Sequence, residues 1–116
     1  MKILARFLML FILLISQSIF AHSDHSHRTI SDTDALSVAS NVVKSLTSRD
    51  AGLGFGKLSQ TWASLPAKNT VINRRGSGYY IVSVINENEQ KTLYILMSSS
   101  GEVFDVNFFG VFEGIE

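Results

Sequence analysis

The chain has 116 residues, with ten basic and ten acidic side chains, three histidines, one proline, one tryptophan and no cysteine. A chain of this size makes one domain with a modest core, and its balanced charge provides no basic face for a nucleic acid. Without cysteine there is no disulfide framework, no thiolate nucleophile and no thiolate metal site.

Residues 1–21 read MKILARFLMLFILLISQSIFA. Lys2 and Arg6 precede an apolar run from Phe7 to Ile15, and small and polar residues then lead to Ala21. This is the three-part pattern of a secretory signal peptide. The run is short of the ~20 apolar residues that a membrane span needs, and no second run of that length follows. The expectation is export to the periplasm and cleavage after Ala21, leaving 95 of the 116 residues and no membrane attachment. Loss of Lys2 and Arg6 leaves eight basic against ten acidic residues.

Residues 22–30, HSDHSHRTI, are polar and aperiodic, which predicts a disordered leader. They hold all the histidines of the chain: His22, His25 and His27. Cleavage after Ala21 would make His22 amino-terminal, so that its amine and its Nδ1 close a chelate ring on one metal ion. Such a nitrogen pair suits Cu(II) best, and Zn(II) or Ni(II) less well. His25 and His27 can add imidazoles, and Asp24 a carboxylate. The candidate metal ligands are therefore His22, Asp24, His25 and His27. Asp24 in third place excludes the amino-terminal copper and nickel motif that has histidine there. A leader that must order itself to bind suits a collector or carrier, not a catalytic metal, whose ligands are held rigidly around an open position.

A single domain is predicted over residues 31–116. Ser31 precedes Asp32 and Asp34, giving an N-cap with acidic residues in the first turn. Ala35, Val38, Ala39, Val42 and Leu46 then recur at helical spacing, which predicts a helix over Asp32 to Ser48 with one apolar face. Gly52, Gly54 and Gly56 break the pattern. A phosphate-binding loop would need a strand before it, whereas a helix comes first here, so this stretch reads as a connector that drops Leu53 and Phe55 onto the core. Leu58 to Leu65 suggests one helical turn, with Trp62 covering the sheet edge and Pro66 ending it.

Strands are predicted in NTVINRR, YYIVSVI, KTLYILMS and VFDVNFF, joined by short polar or glycine-containing turns that favour antiparallel neighbours. In the last strand, alternation places Phe104, Val106 and Phe108 on one face. The fold class is α+β: one long helix packed on an antiparallel sheet of three or four strands, with one sheet face buried and the other partly wet.

The order helix, hairpin, then a strand entered through SSSGEVFDVNF resembles the PepSY domain. That resemblance implies a helix on an antiparallel sheet, and a role in restraining a protease or binding a peptide. The chain also resembles a family of small exported bacterial proteins of unestablished activity. The matching pieces are the Ala-His-x-Asp-His start at Ala21 to His25, Asp34-Ala35, Trp62 to Pro66, Gly78 to Val82, Lys91 to Tyr94 and Gly101 to Phe108. Neither resemblance transfers a site.

An enzyme is not expected. Past residue 27 there is no histidine or cysteine to serve as general base or activated nucleophile, and Ser77 and Ser98 to Ser100 read as turn residues. Glu87 and Glu89 read as solvated turn charges, and Arg74-Arg75 as charges guarding an edge strand. Tyr79, Tyr80 and Tyr94 are first of all packing residues. The sequence points to a periplasmic accessory protein that binds Cu(II) through its leader and serves a metal-efflux or other envelope protein. The alternative is a PepSY-like peptide- or protein-binding module without a metal.

Overall fold

The structure, a computed structural model, describes residues 28–115. Helix α1, Asp32–Ser48, starts where the sequence requires: Ser31 Oγ accepts the Asp34 N–H at 3.1 Å, and Asp32 and Asp34 occupy the first turn. Its most buried stripe is Ala35, Ala39, Val43 and Leu46. The two alanines are fully buried, so the helix backbone lies close to the sheet. Val38 and Val42, expected on the buried face, sit half-buried on its shoulder, and Val43 takes a central place. No described helix is long and apolar enough to cross a membrane.

Four strands follow: β1 Thr70–Gly76, β2 Tyr79–Asn86, β3 Lys91–Ser98 and β4 Val103–Asn107. They form an antiparallel meander in the order β1-β2-β3-β4, which answers the question of three strands or four. Period-two alternation sorts their side chains. Tyr80, Val82, Val84, Leu93, Ile95, Met97 and Val106 join the helix in the main core. On the opposite face Ile81 and Leu96 meet Phe112, with Tyr79, Tyr94 and Ile115 around them. The second face is thus partly roofed by the C-terminal segment, a packing that strand alternation did not disclose.

Both edge strands are irregular. The register shifts in β1 between Ile72 and Arg74, and in the β3–β4 pairing Met97 faces Val103 while Leu96 faces Asp105. Phe104 is the extra residue of that bulge and is 60% exposed. The expected shared face of Phe104, Val106 and Phe108 therefore holds for Val106 and Phe108 but not for Phe104, because the bulge breaks the alternation on which it rests. On the other edge, β1 carries Arg74 and Arg75. Arg75 is ion-paired with Asp32, and Arg74 lies 5.9 Å from the centre of the Tyr79 ring.

The connector between α1 and β1 contains two short 3₁₀ turns, Gln60–Trp62 and Ala67–Asn69. Leu58 is buried and its N–H donates to Leu46 O at 2.9 Å, which ties the connector to the helix end. Trp62 does not cover a sheet edge; it is 2% exposed inside the main core, edge-on to Phe108 at 6.0 Å. Phe55 packs against the same Phe108 ring at 5.1 Å, whereas Leu53 remains 38% exposed.

Candidate functional site

His22, Asp24, His25 and His27 lie outside the described residues. What is described is the root of their leader. Ile30 N–H donates to Ser99 O at 2.8 Å, and Tyr80 Oη–H donates to Ile30 O at 2.7 Å. The Ile30 side chain packs on the main core. Gly101, at φ 93°, allows this approach: a Cβ there would lie 3.0 Å from Ile30 Cδ1. Strand ends thus grip the chain three residues after His27. Tyr80, read from sequence as a packing residue, also holds the leader's root through its hydroxyl.

A recess of about 220 Å³ opens at the same place, with Thr29, Arg75, Tyr79, Tyr80 and Ser99 in its wall. Among the described residues, no group of three or more His, Cys, Asp or Glu side chains stands close enough to hold a metal ion.

A second feature is an apolar groove of about 470 Å³ between α1 and β4. Val38 and Val42 line it from the helix, Val103 and Phe104 from β4 and Leu53 from the connector, with Arg49 and Asp105 as its charged members. The groove exists because the apolar arc of α1 is wider than the strip the sheet covers, and because the bulge in β4 turns Phe104 outward.

Glu89 is a third feature, and its role departs from the sequence reading. Its carboxylate accepts from Ser59 Oγ, from Thr61 Oγ1 at 2.7 Å and from Trp62 Nε1 at 3.2 Å. The fully buried Asn86 completes the cluster, donating to Thr61 Oγ1 at 3.0 Å and accepting the Glu89 N–H at 3.2 Å. The hydroxyls of Ser59 and then Thr61 stabilise the ionised form and hold the Glu89 carboxyl below the usual range, with smaller help from Trp62 and Lys91. Glu89 is a clamp between the connector and the β2–β3 turn, not a solvated turn charge. Every hydrogen-bonding contact of its carboxylate goes to the connector, so the arrangement is structural.

The family of unknown function DUF6488 matches residues 1–111. The chain belongs to that family. The match runs through leader and domain alike, and the family's description assigns no activity. No curated protein and no solved structure matches the chain.

The sequence reading missed three residues that matter here: Ile30, which anchors the leader, Glu89 and Phe104. Each acts through partners far along the chain. A signal for Glu89 was present in the Ser-x-Thr-Trp spacing of Ser59 to Trp62, three donors without obvious acceptors, but nothing local joined it to residue 89.

Proposed function

We propose that this protein is a small exported accessory protein that binds a divalent transition metal, Cu(II) by preference, through its leader. His22, His25 and His27 supply nitrogen and Asp24 a carboxylate, once cleavage after Ala21 has freed the amine of His22. The observation that carries this reading is concentration: all three histidines fall within residues 22–27, and none occurs in the remainder of the 116-residue chain. The folded domain serves as the mount, and the clamp on Ile30 supports this role because it fixes where the leader begins. A site of this kind favours collection and hand-over in the periplasm, with a metal-efflux or other envelope protein as recipient.

The test is a Cu(II) titration of the mature protein, its amino terminus confirmed by mass spectrometry, beside a variant with one extra alanine before His22. Tight binding that weakens sharply with the added alanine is the expected result. Equal binding in both, or weak binding in both, would remove the chelate on the amino-terminal histidine.

A second reading, a PepSY-like interaction module, is favoured by one observation, the apolar groove with Phe104 at its lip. Its ligand would be an extended apolar segment of a partner protein, held by side-chain insertion. The short and bulged β4 is a poor template for strand addition. In this reading, deleting residues 22–28 leaves partner binding unchanged and Phe104→Asp abolishes it; the reverse pattern would sink it.

A further inference from the structure

Apolar surface is left uncovered mainly on one side of the molecule, along β4. Of the large apolar side chains exposed among the described residues, all but Val71 and Ile85 lie in the groove or just past β4: Leu53, Val103, Phe104, Phe109 and Val111. Phe104 is 60% exposed and Phe109 78%. At roughly 150–250 Å² for each aromatic side chain, these two alone offer a quarter or more of the ~800 Å² per partner that a standard interface takes. The charges of the groove bear on what covers it. Its charged members are one cation, Arg49, and one anion, Asp105. Both are exposed, and neither has an ion-pair partner among the described residues, where Arg75 pairs with Asp32. Asp105 Oδ1 accepts the N–H of Val106 at 2.8 Å, which leaves Oδ2 open.

We propose that a second copy of this chain covers the groove, in a two-fold dimer in which Phe104 of each copy enters the groove of the other. A two-fold interface must be self-complementary: if residue i meets j, then j meets i. This surface meets that condition in shape and in charge. It carries a projecting ring beside an apolar hollow, and a cation beside an anion. Arg49 of one copy meets Asp105 of the other, twice over. A different partner would have to bring its own ring and both charges in the matching arrangement. The short, bulged β4 is a poor template for strand pairing, so inserted side chains join the copies instead of a continuous sheet. The inference stands apart from the metal reading, and it gives the groove an occupant other than the partner segment of the second reading.

The experiment is sedimentation equilibrium of the exported full chain, with EDTA present so that no metal bridges two leaders. Its members are the parent protein, Phe104→Asp, Arg49→Asp, Asp105→Arg and the double reversal of Arg49→Asp with Asp105→Arg. All three positions are exposed, and far-UV circular dichroism checks each fold. The parent should dimerise with rising concentration, and Phe104→Asp should weaken the dimer by about 30-fold or more, the effect of losing one hot-spot side chain. Each single charge reversal sets like charges against each other at both contacts and should weaken it by roughly 10-fold. The double reversal should restore it. An equal mixture of Arg49→Asp with Asp105→Arg should form a heterodimer, because one copy then brings two anions and the other two cations. That last outcome separates a contact between copies from one within a single chain. A parent that stays monomeric up to about 1 mM would overturn the proposal, also where a foreign apolar segment binds the groove and Phe104→Asp releases it. A dimer indifferent to Phe104→Asp and to both reversals would overturn it too, by placing the interface elsewhere. So would single reversals that weaken the dimer without complementing each other in the mixture.

Discussion

Tyr80→Phe isolates the clamp on the leader. The ring of Tyr80 is 7% exposed in the main core and stays in place when only its hydroxyl is removed, so no cavity forms. What is lost is the 2.7 Å hydrogen bond to Ile30 O. A bond of this kind contributes about 0.5–1.5 kcal/mol net, with a further penalty where the abandoned acceptor is shielded from water. Ile30 is half-buried, which sets the expected loss at about 1–2 kcal/mol. For a domain of this size each kcal/mol shifts the melting midpoint by roughly 4–8 °C. Urea denaturation should show a lower midpoint at unchanged slope. Amide exchange should show that the Ile30 N–H, which donates to Ser99 O, loses protection ahead of the sheet interior. A change below about 0.3 kcal/mol with Ile30 protection intact would refute the reasoning, because the neighbouring bond would then hold the root alone. A loss well above the ~1–2 kcal/mol expected from a single bond would refute it differently, by showing that the ring itself had moved.

Two further outcomes follow from single contacts. Glu89 contributes stability as the ionised group, because its folded-state carboxyl lies below the ordinary value, which is about 4.3. That stability is present above the ordinary value and is lost as pH falls through the folded one. The gap in melting temperature between the parent and Glu89→Gln should thus be widest near neutral pH and shrink below about pH 4.3; a gap constant down to about pH 3 would contradict the clamp. Gly101→Ala places a side chain at φ 93°, with its Cβ 3.0 Å from Ile30 Cδ1, and should destabilise by about 1–3 kcal/mol in a chemical melt. A neutral result would mean that the turn relaxes and the Ile30 side chain gives way.

How much of this was legible in the sequence depended on how far apart the interacting residues lie. The bounds of α1 could be read because capping and helical periodicity involve residues three or four places apart: Ser31 with Asp34, Ala35 with Ala39. The strands and their turns could be read for the same reason, since alternation and a glycine turn are local. The architecture, one helix on an antiparallel sheet, followed from these pieces. Tertiary contact decided the rest. Val43 rather than Val42 lies at the centre of the buried stripe because the placement of the sheet, not the spacing of the apolar residues, selects which part of the arc is covered. Phe104 faces outward because a bulge in one pairing overrides alternation. Phe112 roofs the second face of the sheet from beyond the last strand. Glu89 finds three donors 27 to 30 residues earlier in the chain, and Tyr80 finds Ile30 fifty residues away. For the candidate site the division is the same. The histidine cluster is a fact of sequence, because composition needs no partner. The place where the leader is anchored, and the recess beside it, exist only once Ile30, Tyr80 and Ser99 have been brought together by the fold.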